Sequence, residues 1–231
     1  DRFSPKLFLT KRSGHNRKNC GMYFNNRRNS NYFKGNIMMI GFNKPYISGK
    51  EFQYIKEAID LEKLSGNGRF TKKCHEYFEM KYGFKKTFLT HSCTGALEMA
   101  ALLLDVKQGD EIIVPSYTFV STANAFLLRG ATLIFADSNG NNPNVDVNHI
   151  RQLITPKTKA IVVVHYAGVA CDMDAIMQLA SVHNIFVVED AAHAIDSYYK
   201  SRPLGSIGHL AAFSFHETKN IISGEGDMLV G

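Results

Sequence analysis

The chain has 231 residues, 45% of them hydrophobic, which is enough to bury one sizeable core and fits one or two domains. Its formal charge of +6 is uneven: residues 1–37 hold nine of the 27 Lys and Arg and one of the 21 Asp and Glu, leaving 18 basic against 20 acidic residues, a net of −2, for the rest. That balance argues against a nucleic-acid partner for the main body, and no apolar run reaches the length of a membrane span.

In chain order, residues 1–37 form a basic, Asn-rich leader without apolar periodicity, expected to be disordered or non-native and without a function of its own. A nucleic-acid arm and a mitochondrial-type targeting leader are the sharper alternatives, the second lacking a visible amphipathic helix. From Gly49 to Leu64, Phe52, Ile55, Ile59 and Leu61 recur at helical intervals, and Phe70, Cys74, Tyr77 and Phe78 repeat the pattern after Gly66-Asn-Gly68. Strand runs follow at about 86–90, 111–115, 132–136, 160–165, 185–189, 211–215 and 227–230. Helical segments lie between most of them: Gly95–Leu104, Val120–Leu128, Val147–Leu153 and Met173–Val182. This alternation predicts an α/β fold, a mostly parallel sheet with helices on both faces. Binding residues are then expected beyond the carboxyl ends of the strands.

Two strand ends carry suggestive chemistry. Phe186-Val-Val-Glu-Asp190 delivers Asp190, and Ala212-Phe-Ser-Phe-His-Glu-Thr-Lys219 delivers Lys219. A carboxylate to keep a pyridine nitrogen protonated and an amine to hold an aldehyde as a Schiff base are what pyridoxal 5'-phosphate (PLP) chemistry needs. Taken alone, Lys219 also reads as a solvated surface charge and Asp190 as a helix cap. The cysteines Cys20, Cys74, Cys93 and Cys171 form no Cys-x-x-Cys pair, so neither a disulfide framework nor a metal site is expected, and a reducing cytoplasm is the default.

Six segments in sequence order carry a resemblance: Gly66-Asn-Gly-Arg-Phe-Thr71, Thr90-His-Ser-Cys-Thr-Gly-Ala-Leu97, Pro115-Ser-Tyr-Thr-Phe-Val-Ser-Thr-Ala-Asn124, His165-Tyr-Ala-Gly-Val-Ala-Cys-Asp172, Glu189-Asp-Ala-Ala-His193 and Ser214-Phe-His-Glu-Thr-Lys-Asn220. Together they resemble the DegT/DnrJ/EryC1/StrS sugar aminotransferases, most closely the dTDP-4-amino-4,6-dideoxygalactose transaminase branch. The resemblance runs from about Met39 to Gly231. It implies the seven-stranded large domain of a fold type I PLP enzyme over residues 38–231, with the smaller carboxyl-terminal domain absent.

The resemblance also assigns roles. Lys219 is the catalytic, Schiff-base lysine, and Asp190 partners the pyridine nitrogen. His193 lies near the ring's phenolic oxygen. Thr94, Gly95 and Ser214 hold the phosphate, the first two at a helix start whose N–H groups and dipole favour an anion. Phe119 stacks on the ring. Asn67, Phe70, His165 and Tyr166 line the mouth of the site near the nucleotide sugar. The implied reaction transfers an amino group, with glutamate as donor, to the 4-keto carbon of a nucleotide-linked 4-keto-6-deoxy sugar, for cell-surface polysaccharide precursors. The implied assembly is a homodimer, and a chain lacking its small domain is expected to be weakly active or inactive alone.

Rival readings are a non-catalytic remnant or binding module, a dehydratase of the same family with His in place of the lysine, and a nicotinamide enzyme, for which no Gly-x-Gly-x-x-Gly follows the first strand. Two positions depart from the family pattern: Asp227 stands where Gly is usual, and Gly41 where Pro is usual. A positive φ at Asp227 would loosen the last strand.

Overall fold

A computed structural model of the protein describes residues 43–231; the expectations for the leader and for Gly41 lie outside the described residues. Helices α1 (Glu51–Asp60) and α2 (Arg69–Tyr82) precede β1 (Thr87–Thr90), α3 (Cys93–Leu103), β2 (Glu111–Pro115), α4 (Val120–Leu127) and β3 (Thr132–Ala136). Then come α5 (Val147–Leu153), β4 (Thr158–Val164), α6 (Met173–His183), β5 (Phe186–Asp190), β6 (Tyr198–Tyr199), β7 (Arg202–Pro203), β8 (Leu210–Ser214) and β9 (Asp227–Val230). The seven strand runs expected from the sequence all form strands of one sheet, ordered β1-β9-β8-β5-β4-β2-β3.

Within this sheet β9 runs antiparallel to β1 and β8, and the other neighbours pair in parallel. Both faces are covered, which is why the central strands are apolar at consecutive rather than alternate positions. One face packs Ile161, Val163, Val187, Ala211, Phe213 and Met228 against α2, α5 and α6 through Phe78, Tyr82, Ile150, Met173 and Ile176. The other packs Ile112, Val114, Val162, Val188, Ala212 and Leu229 against α3 and α4 through Leu97, Ala100, Ala101 and Phe126. Each large side chain buried in these layers contributes roughly 1.5–3 kcal/mol relative to exposure.

Three features differ from the sequence expectations. A small hairpin, β6 with β7, turns at Lys200 and Ser201, both at positive φ (48° and 69°). Such a turn favours Asn-Gly or Asp-Gly, so Lys-Ser gave no signal. Helix α1 buries no side chain, and α2 buries only Phe78 and Tyr82, with Cys74 partly buried against the same core. Finally, the positive φ (122°) falls on Gly226, while Asp227 is an extended residue of β9; the expected strain at Asp227 is absent because the preceding glycine absorbs the turn. Among the described residues, no helix is long and apolar enough to cross a membrane.

Candidate active site

Because side chains alternate along a strand, each strand end offers neighbouring residues to opposite faces of the sheet. Asp190 of β5, Ser214 of β8 and Asp227 of β9 continue the face of Val188, Ala212 and Leu229, which α3 and α4 cover. Above these strand ends the layers part around a cavity of about 640 Å³. Its lining includes Thr94, Phe119, Asp190, His193, Ser214 and Lys219, brought from four segments spread over more than a hundred residues.

Asp190 is 5% exposed, and both of its oxygens are held. Thr122 Oγ1 donates to Oδ2 at 2.6 Å and the Ala192 N–H donates to Oδ1 at 3.2 Å. Thr118 in turn donates to Thr122 at 2.8 Å, so the start of α4 presents a row of hydroxyls to the carboxylate. Such a buried anion would be costly without these donors. Each oxygen keeps further lone-pair capacity for a ligand N–H.

Lys219 sits in the loop from β8 to β9. Its backbone N–H closes a turn on His216 O at 2.9 Å, and the neighbouring Asn220 side chain donates to Ile195 O at 2.8 Å, tying the loop to the segment after β5. Beneath the loop, Phe215 stacks on Phe78 of α2 at 5.3 Å. The half-buried lysine is thereby held from two sides, and its amine enters no ion pair among the described residues.

Helix α3 begins at this edge. Ser92, in extended conformation, caps it by accepting from the Gly95 N–H at 3.0 Å. Thr94 lines the cavity and bonds Ser121 of α4 at 2.8 Å. Gly95 lies one step inside, buried and outside the lining, where an added Cβ would approach the His91 ring at 3.0 Å. The part expected of Gly95 is thus a backbone N–H already engaged by the cap. Phe119 is 74% exposed, on the cavity wall rather than in the core.

His193 accepts the Ala167 N–H on Nδ1 at 3.2 Å and packs its ring against Tyr166 at 5.8 Å. Burial, then the charge of Lys219, hold its pKa below the usual 6.5. Tyr166 lines the same cavity, its hydroxyl 3.3 Å from that of Tyr117.

The expectation that His165 lines the mouth is corrected: the ring is fully buried. It accepts the Cys171 N–H on Nδ1 at 3.2 Å, leaving Nε2–H to donate to Glu189 at 2.8 Å. Glu189, equally buried, also accepts N–H groups of Gly205, Ile207 and Gly208. Burial alone would raise its pKa, but the His165 bond and the N–H donors outweigh it and the net direction is down. Asn67 and Phe70 are a second correction. They belong to shallow depressions beside the α1–α2 turn and not to the cavity lining, since α2 meets the core through Cys74, Phe78 and Tyr82, beyond its first turn.

Sequence reading missed Thr122, Ser121 and Tyr117. The i, i+4 pair Thr118 and Thr122 at a helix start beyond a strand was the available signal.

A model of the DegT/DnrJ/EryC1/StrS aminotransferase family matches residues 45–231, four-fifths of the chain. The chain belongs to this family. The Bacillus subtilis spore coat polysaccharide biosynthesis protein SpsC is 43% identical over 188 residues, 81% of this chain and 48% of the relative. GDP-perosamine synthase of Escherichia coli O157:H7 is 40% identical over 81% of this chain and 51% of the relative. Among solved structures, Spr1654 of Streptococcus pneumoniae, determined in PLP and PMP forms, superposes with a TM-score of 0.76 at 32% identity, over 83% of this chain and 52% of that one. The chain therefore spans about half the length of the relatives it matches. The cavity lies at the edge of the sheet where five of the six resembling segments meet, the segment Gly66–Thr71 being the exception.

Proposed function

We propose that this chain forms the cofactor-binding half of a PLP-dependent aminotransferase that acts on a nucleotide-linked 4-keto-6-deoxy sugar, with glutamate as amino donor, in cell-surface polysaccharide synthesis. The observation that carries the reading is that Lys219 and Asp190, separated in sequence and delivered by different strands, line one cavity. The names of the relatives, spore coat polysaccharide biosynthesis and GDP-perosamine synthesis, support the sugar class. The sequence resemblance favours the dTDP-4-amino-4,6-dideoxygalactose branch, so the proposal leaves the nucleotide open.

The residues present fit PLP. When bound, the cofactor supplies an electron sink for negative charge at the carbon that loses a proton. Asp190, fixed by Thr122 and the Ala192 N–H, is the acceptor that keeps the ring nitrogen protonated. Thr94, Ser214 and the start of α3 offer hydroxyl and N–H donors to the phosphate. Phe119 offers an exposed aromatic face to the ring, and His193 a neutral Nε2–H near its edge. Lys219 would hold the cofactor through its aldehyde group, and its Nζ, when not so engaged, would be the base placed to take and return a proton. Tyr117 and Tyr166 are the side chains at the cavity proposed to meet the substrate.

A homodimer belongs to the same proposal: Leu102 and Leu103 of α3, Leu127 of α4 and the adjoining Leu128 are exposed apolar side chains suited to a covering partner. Titration of the full chain with PLP tests the cofactor reading. The wild type is expected to show the visible absorbance of lysine-bound cofactor and Lys219→Ala to lack it; the same spectrum in both proteins would overturn the reading. Formation of 2-oxoglutarate from glutamate on adding nucleotide 4-keto sugars then tests the substrate class.

A further inference from the structure

Asp227 is an ionisable group on the cavity wall that the reading above does not use. It is 3% exposed, in β9, with Thr90 of β1 and Ser214 of β8 as register partners. Residues directly opposite in antiparallel strands share a face, with Cβ atoms about 4.5–5.5 Å apart. The carboxylate therefore stands on the same face as the Ser214 hydroxyl and close beside it. Its Oδ1 accepts the Phe215 N–H at 2.6 Å, which fixes the side chain. Its Oδ2 has no hydrogen-bond partner among the described residues, and the side chain is part of the cavity lining. No ion pair among the described residues neutralises it.

The field of this carboxylate reaches the start of α3. The thiol of Cys93, the first residue of that helix, is pushed up by burial and further by the charges of Asp190 and Asp227, against an opposing effect of Lys219. A phosphate bound by Ser214 and the α3 N-terminus would lie beside a fixed negative charge, and like charges in a partly desolvated site repel strongly.

We propose that Asp227 is a specificity-determining residue that weakens binding of the phosphorylated cofactor while leaving binding of its unphosphorylated counterpart, pyridoxal, unaffected. The proposal rests on the reading of the cavity as a PLP site and deepens it: Asp227 narrows the preference that the helix start and Ser214 give to a phosphate-bearing ligand.

The test is equilibrium titration of the full chain, wild type, Asp227→Asn and Asp227→Gly, with PLP and with pyridoxal, each followed by absorbance and each repeated on Lys219→Ala. Asn keeps an acceptor for the Phe215 N–H, and Gly removes the side chain, so loss of folding in one leaves the other. Both variants are expected to bind PLP about tenfold more tightly and pyridoxal within about twofold of wild type. Unchanged PLP affinity in a folded variant, or an equal change for both ligands, overturns the role of Asp227 and leaves the cofactor reading standing. Absence of Lys219-dependent binding of either ligand by any of the proteins overturns both.

Discussion

Thr122 on α4 donates a 2.6 Å hydrogen bond to Asp190 at the end of β5, joining residues 68 apart in sequence. Thr118, four residues earlier and just ahead of the helix, feeds the same row, and the Ala192 N–H holds the other carboxylate oxygen. The plane of the Asp190 carboxylate is set before any ligand arrives, because a buried anion cannot be left without donors. Asp190 is thus oriented jointly by a helix that covers the sheet and by its own loop.

Thr122→Val keeps the side-chain shape and removes the donor. The loss of a hydrogen bond to a buried charged group is expected to lower stability by about 1.5–3 kcal/mol in urea unfolding, with Thr122→Ser recovering most of it. Wild-type stability in the Val variant would show that Asp190 does not depend on this bond.

Glu189 gives a pH signature. Its folded pKa lies below the ordinary 4.5, so its ionised form contributes stability that is fully present above the carboxylate range and is lost as pH falls through the depressed value. Glu189→Gln, which leaves three N–H donors and His165 facing an amide, is expected to cost about 3–5 kcal/mol at neutral pH. The gap should narrow in acid, because only the wild type loses this contribution there. Parallel stability curves for the two proteins from pH 7 to pH 3 would contradict that expectation.

His193 reports on Lys219. Its pKa is depressed by burial first and by the lysine charge second, so its ring signals should titrate below 6.5 in an NMR pH series. Removing the charge in Lys219→Ala should move the midpoint upward, towards 6.5, without abolishing the burial effect. An unmoved midpoint would mean that the amine does not reach the histidine.

Much of this architecture was legible in the sequence. Runs such as Ile112 to Val114 and Ala160 to Val163 are short, β-branched and apolar at successive positions, the pattern of a strand covered on both faces, and the seven runs read this way are strands of the sheet. Asp190 and Lys219 stood out as polar residues at or beyond the ends of such runs, but their roles came from the family resemblance and not from the local pattern. The hairpin at Lys200 and Ser201 was not, since its positive φ angles sit on residues that carry no turn signature. Nor were the exclusions of Asn67 and Phe70, because helix periodicity marks an apolar stripe without saying which part of α2 meets the core.

The amino-acid order alone determined the seven strands of the sheet, the helices between them and the sheet edge beyond which binding residues are expected, since these follow from local periodicity and chain polarity. Tertiary structure decided which of two adjacent residues faces the cavity: Asp190 does and Glu189 does not, Tyr166 does and His165 does not. At Glu189 and Asp190 the strand side chains alternate, so a shift of one position exchanges a ligand-facing group for a core group. His165 and Tyr166 lie past the end of β4, where the bond to Glu189 holds His165 in the core. The side each takes is fixed by the helices that cover the sheet, α3 and α4 on one face and α2, α5 and α6 on the other.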